Sequence, residues 1–207
     1  MGNRAVIATE KKDIGIYLHW NGGRDSVEAF LEYCRLKGYR TPENDSYGWS
    51  RLAQVIGNFF GGTTSVGIGL YDTLDTDNFD NGVYIIRDWK VVGREFVRGF
   101  EQRQYVLKEM LIEINNHQPL EEQINPLFFE AEEVETKNLK VNDKVFVQNH
   151  NGEYELFNVV SLSDSVLKDN RIVNGTNVKG LPRIDKYGNG EDNINNYLRE
   201  KSYRVVK

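Results

Sequence analysis

Residues 14–34 constrain this chain more than any other stretch. Residues 14–20, Ile-Gly-Ile-Tyr-Leu-His-Trp, mix β-branched, aromatic and other apolar side chains over the length of one strand. Asn21-Gly22-Gly23 interrupts the run. Asp25 then stands three residues before Glu28, the spacing of a capping box, and Val27, Phe30, Leu31 and Cys34 follow at i, i+3, i+4 and i+7. The pattern predicts a strand, a glycine turn and a helix with one apolar stripe. Such a turn offers backbone amides beside a helix N-terminus, with His19 and Arg24 on its two sides, so Gly22, Gly23 and Arg24 are candidates for holding a phosphate. Asp25 as the helix cap competes with that reading, because its carboxylate repels an anion at the same place.

Flanking segments extend the pattern. Residues 3–9 read as a first strand, joined by four polar residues to the second in an antiparallel hairpin. Gly38 ends the first helix. A second helix is expected over residues 48–60, where Trp49, Leu52, Ala53, Ile56, Phe59 and Phe60 recur at helical spacing; such a stripe is ordinarily core rather than a base-stacking platform. Val66, Ile68 and Leu70 alternate with glycines, which fits a strand closely approached on its other face. Two more strands are expected over 82–86 and 88–97, with a turn near Arg87-Asp88, and a third helix over 101–116 presents Glu109 and Glu113 away from Leu107, Met110, Leu111 and Ile114.

Between them lies an acidic loop with Asp72, Asp75, Asp77 and Asp80. Alternating oxygen ligands suit a divalent cation at Asp72, Asp75 and Asp77. The ligand order, glycine and distal glutamate of an EF-hand are absent, however, and a solvated turn without a cofactor is the expectation.

After an acidic linker over 121–135 that docks through Leu127-Phe128-Phe129, the character changes. Short strands at 143–148, 154–160 and 202–207, a turn at 149–152, a Leu139-x-x-x-Asp143-x-Val145 opening and a Gly/Asn/Asp-rich stretch of loops over 170–196 suggest a small SH3-like β-barrel. The fold class is thus α+β: an antiparallel sheet with about three helices in residues 1–134, then the barrel in 135–207.

The 207 residues carry a formal charge of −5, which argues against a generic nucleic-acid coat. The acidity is uneven: residues 1–134 hold 14 Lys+Arg against 21 Asp+Glu, and residues 135–207 hold 12 against 10. Cys34 is the only cysteine and falls on an apolar helix stripe, so neither an intrachain disulfide nor a cysteine metal cluster is available. The first residues lack a signal-peptide run and no segment approaches transmembrane length, so a cytoplasmic protein without membrane contact is expected.

The blocks Asn3-Arg-Ala-Val-Ile7, Gly15-Ile-Tyr-Leu-His-Trp-Asn-Gly-Gly-Arg-Asp-Ser-Val-Glu28 and Val55-Ile-Gly-Asn-Phe-Phe-Gly-Gly62 resemble a family of small proteins carried by phages, plasmids and integrative elements of Gram-positive bacteria. The family includes anti-CRISPR inhibitors of the type II RNA-guided DNA nuclease. The likeness spans residues 3–115 and leaves out the barrel. It implies a protein acting in the bacterial host cytoplasm, with the effector nuclease and its guide RNA as partners.

Three functions compete. A binding inhibitor would present carboxylates of Asp72, Asp75, Asp77, Asp80, Glu109 and Glu113 to the positively charged channels of the effector. A ribonuclease that truncates the guide RNA would use His19 for proton transfer, with Arg24 and the Gly22-Gly23 amides on the phosphate, and Tyr17 and Asp25 as weaker candidates. His117 and His150 fall at a helix end and in a turn, so a two-histidine mechanism has little support. A non-enzymatic phage regulator or scaffold would bind a partner through Lys144, Tyr154, Phe157 and Arg204 of the barrel.

Overall fold

The computed structural model describes residues 2–43, 45–62, 65–98, 105–135, 138–148, 154–164, 171–177, 192–193 and 201–205. The turn expected at 149–152 with His150, the Glu101 start of the third helix and the C-terminal end of the last strand lie outside them. The chain divides into two compact units, Met1–Gln123 and Ile124–Lys207. This division falls ahead of the boundary expected at residue 134, because Ala131–Glu135 is itself a strand of the second unit and pairs with Lys201–Val205.

The first unit is a five-stranded sheet carrying three helices. Its strands are β1 (Ala5–Thr9), β2 (Ile14–Leu18), β3 (Val66–Leu70), β4 (Val83–Arg87) and β5 (Lys90–Glu95), in the order β3-β2-β1-β4-β5. The hairpins β1–β2 and β4–β5 and the pair β2–β3 are antiparallel. The β1–β4 pair is parallel, so the sheet is mixed rather than wholly antiparallel. A parallel neighbour needs a crossover. Here the return segment 71–82 crosses one face of the sheet from the outermost strand β3 to the place beside β1.

The helices are α1 (Arg24–Leu36), α2 (Ser46–Phe59) and α3 (Leu107–Asn116). Capping differs from the expectation at α1. Gly23, not Asp25, is the N-cap, and Asp25 lies inside the first turn, the residue 3% exposed and its carboxylate accepting from the backbone N–H groups of Ser26 and Tyr105. At α2 the cap is Asp45, which accepts from Tyr47 N at 2.8 Å. Helix α1 packs against both α2 and α3 and buries Val27, Ala29, Phe30, Leu31, Tyr33, Cys34 and Leu36. Each fully buried large side chain of this kind contributes about 1.5–3 kcal/mol. Phe30 meets Phe59 and Phe60 edge-on or tilted at 5.3 and 6.5 Å, so those half-buried aromatics pack on the buried Phe30 at the edge of the core.

Strand alternation sorts the sheet into two buried faces. Ala5, Ile7, Ile16, Leu18, Tyr84 and Ile86 share the face toward the helices. Val6, Ala8, Val83 and Ile85 share the other, where Tyr71 and Leu74 of the crossing segment close over them. Glycines make the room: a Cβ at Gly15 would stand 2.9 Å from Leu74 Cδ1, and one at Gly69 would stand 3.3 Å from Leu74 Cδ2. The close approach expected from the glycines of β3 is therefore Leu74. Tyr71 is fixed further by its hydroxyl, which donates to Glu95, and Glu95 also takes Lys12 Nζ at 2.6 Å. The Lys12 ammonium, with help from the Tyr71 hydroxyl, holds the Glu95 carboxyl below the usual range, while burial and the Glu95 carboxylate push the Tyr71 hydroxyl up to about 12.

The second unit has a six-stranded sheet, β6 (Ala131–Glu135), β7 (Lys144–Gln148), β8 (Tyr154–Asp164), β9 (Arg171–Asn177), β10 (Asp192–Asn193) and β11 (Lys201–Val205), in the order β10-β9-β8-β7-β11-β6. Among the described residues no pairing closes β10 onto β6. Strands β9 and β10 occupy part of the stretch expected to be loops, where Gly175 sits opposite Asp192 in a short antiparallel pair. Val134, Leu139, Val145, Val147, Phe157 and Val159 form its core. Phe128 is buried against Phe146 and Tyr154, with centroids 5.2 and 4.7 Å away, so of the three apolar residues expected to dock, Phe128 does, while Leu127 is exposed.

Two outcomes test this architecture. Gly82 has φ +64°, and a Cβ there would fall 2.2 Å from the Glu95 carbonyl, so Gly82→Ala costs at least about 2 kcal/mol in urea denaturation. A carboxyl with a lower pKa folded than unfolded adds stability above its unfolded value, near 4.3, and loses it as pH falls through the folded value. Lys12→Met thus flattens the acid-side decline in stability that Glu95 produces, read from melting temperatures across pH 3–6 against the parent.

Candidate functional site

The sequence places two candidate surfaces far apart in the chain, the His19 bend and the acidic loop. Tyr17 joins them. Its hydroxyl lies 3.2 Å from His19 Nδ1, and its ring shares the sheet face of Val6, beneath the 71–82 crossing. Burial pushes the Tyr17 hydroxyl pKa up; the Asp75 and Asp80 carboxylates act in the same direction and the Arg4 guanidinium opposes them. His19 is exposed, and its ring meets the edge of the exposed Trp20 at 5.0 Å.

The glycine bend is built for packing. Gly22 and Gly23 are buried. Gly22 N donates to the Asn3 carbonyl at 2.7 Å, and a Cβ on Gly22 would stand 2.6 Å from that oxygen and 2.7 Å from Ala5 Cβ. The bend seats the start of α1 directly on β1. Arg24 Nε donates to Glu28 Oε1 at 2.6 Å, the i,i+4 pair of an ordinary helix surface. The sequence reading of these residues as a phosphate cradle meets a Gly22 amide already in use, a guanidinium on a carboxylate, and the buried Asp25 carboxylate in the first turn of the helix.

The acidic loop is equally organised. Asn78, fully buried, accepts from the N–H groups of Asp80 and Gly82 and donates to the carbonyls of Asp75 and Gly82. Asn81, 2% exposed, donates to Asn3 Oδ1 and to the Arg4 carbonyl. A solvated turn was expected; Asp72, Thr73, Asp75 and Phe79 are exposed, while the two buried asparagines hydrogen-bond the backbone of the loop from within. Arginines answer the aspartates: Arg4 Nε donates to Asp80 at 2.7 Å and approaches Asp75 at 3.9 Å, and Arg98 pairs with Asp77. The Asp80 hydrogen bond raises the Arg4 pKa above its ordinary value. Asp72 and Asp75 remain exposed, as do Glu109 and Glu113 on α3. Among the described residues no group of three or more His, Cys, Asp or Glu could hold a metal ion.

The chain matches no family model, no curated protein and no solved structure. No helix among the described residues is long and apolar enough to cross a membrane.

Three contributors went unnoticed in the sequence. Arg4 binds the loop to the first strand across 76 positions, a separation that no local pattern encodes. Phe79, 67% exposed at φ +59°, lies under the Arg98 guanidinium at 4.3 Å; only its place among four aspartates hinted at it. Trp20 was taken as the end of a strand. Among the remaining candidates, His117 rests on Phe59, with Nδ1 2.8 Å from the Glu113 carbonyl. In the second unit Phe157 is core, Tyr154 packs on Phe128, Lys144 is exposed, and Arg204 sits in β11 opposite Glu132 and Val145.

Arg4→Met and Asp80→Asn each lower the melting temperature, and the double variant loses less than the sum of the two, as a double-mutant cycle on a coupled pair requires. Gly22→Ala lowers it as well, with the clash at Asn3 and Ala5 as the cause.

Proposed function

We propose that this chain is a stoichiometric, non-catalytic inhibitor of the type II RNA-guided DNA nuclease, acting in the bacterial cytoplasm by binding the effector or its guide-RNA complex. The observation that carries the choice of binding over cleavage is the Gly22 amide on the Asn3 carbonyl at 2.7 Å, with Arg24 held by Glu28. Cleavage through a 2′-hydroxyl needs donors aimed at the phosphate as charge develops on it. At the bend the Gly22 amide and Arg24 Nε are engaged. The exposed carboxylates of Asp72 and Asp75, on a loop stiffened by Asn78, suit a positively charged channel that ordinarily holds nucleic acid. The resemblance in residues 3–115 supplies the identity of the target. We read the second unit as a small SH3-like barrel on the strength of the long strand β8, which pairs with β7 over residues 154–158 and with β9 over residues 157–164, shifting register between Val159 and Ser161.

Guide-RNA cleavage is the second reading, favoured by one feature, the exposed His19 imidazole beside the Tyr17 hydroxyl.

Effector loaded with guide RNA, incubated with increasing amounts of the protein and then with target DNA, separates the two on denaturing gels. Binding gives uncut DNA at about one inhibitor per effector with full-length guide RNA, and Asp72→Lys with Asp75→Lys weakens inhibition at least about tenfold, about 1.4 kcal/mol. Shortened guide RNA at substoichiometric protein, abolished in His19→Ala, would overturn it.

A further inference from the structure

The two edges of the first sheet are not alike. Strand β5 carries Lys90, Arg94 and Glu95 and is kinked by a register shift opposite Ile85 and Ile86, devices that discourage another strand from pairing. Strand β3, Val66-Gly67-Ile68-Gly69-Leu70, has no charge, no proline and an unbroken register with β2.

Its hydrogen-bond parity is fixed by two contacts at its ends. Tyr71 N donates to the Asp13 carbonyl and His19 N donates to the Ser65 carbonyl, so Ser65, Gly67, Gly69 and Tyr71 turn their backbone groups toward β2. Val66, Ile68 and Leu70 turn theirs to the open edge, where no described strand pairs with them. The Leu70 carbonyl takes the Thr73 hydroxyl at 2.7 Å and keeps a second lone pair. The same three residues place their side chains on the helix-covered face, but beyond the cover: Ile68 is 60% and Leu70 64% exposed.

We infer that β3 is a pairing edge for a second copy of this chain, joined antiparallel about a two-fold axis through Ile68. The sequence of the strand is what selects that occupant. A two-fold at Ile68 sets Ile68 against Ile68 and Val66 against Leu70, so each outward N–H finds an outward carbonyl, and Tyr71 falls opposite Ser65. No like charges meet in this register. The apolar side chains of both copies join on one face as cross-strand neighbours, and the two sheets become one.

The test uses the full chain. Sedimentation equilibrium of the wild type shows twice the chain mass, and amide exchange at Val66, Ile68 and Leu70 slows as protein concentration rises while Gly67 and Gly69, bonded to β2, stay constant. Ile68→Pro deletes an outward donor without touching a β2 bond, and Ile68→Lys sets a charge against its symmetry mate; both halve the mass and leave the circular dichroism unchanged. Overturning results are a wild type with the mass of one chain up to its solubility limit, a dimer that both variants retain, or a single chain whose β3 amides become protected only by an added extended peptide of other sequence.

Discussion

Burial of β1 on every side is the constraint from which the first unit follows. Ala5, Val6, Ile7 and Ala8 have no exposed surface, so the strand needs a neighbour on each edge and cover on each face. Helices supply one cover. The chain supplies the other with the only segment left between β3 and β4, and that segment is rich in aspartate. A polar stretch placed over an apolar face must satisfy its own backbone groups. Asn78 and Asn81 do this from within, and Arg4 and Arg98 offset the charge. The acidic loop is thus a structural layer whose outer carboxylates face solvent, and its chemistry as a surface is a consequence of its place in the fold.

The same constraint explains the glycine bend. A tight approach of the α1 start to β1 leaves no space for a side chain at residue 22 and uses its amide. Glycines at a strand-to-helix turn therefore carry two meanings, room for an anion or room for a neighbouring strand, and only the position of Asn3 and Ala5 separates them. Here the Gly22 amide is engaged by the Asn3 carbonyl, and the bend serves the packing of α1 on β1.

Local patterns were legible because their physics is local. The α1 and α2 stripes, the β1–β2 hairpin and the need for something close to the glycines of β3 all come from spacing within a dozen residues. What escaped depends on distance. The parallel β1–β4 pair, the Arg4 contacts with residues 75 and 80, and the place of β6 in the second sheet join segments that no periodicity relates. Asp25 shows the limit within a local motif: the capping-box spacing was present, but its carboxylate serves the N–H of Tyr105, far along the chain, and Gly23 caps the helix. The burial of Asn78 and Asn81 escaped for the same reason, since a turn rich in aspartate reads as solvated unless one knows what it covers.

The β4–β5 connection shows how such distance enters folding. Asp88 and Trp89 both hold positive φ, +49° and +58°, the twist that suits a two-residue hairpin but strains a bulky side chain. Trp89 is nevertheless 5% exposed, and its indole N–H donates to the Tyr39 carbonyl 50 positions away. The bend is thus held by its anchor on the α1–α2 connection rather than by local preference. A corner that its own two residues disfavour is thus stabilised by a contact that lies outside the hairpin.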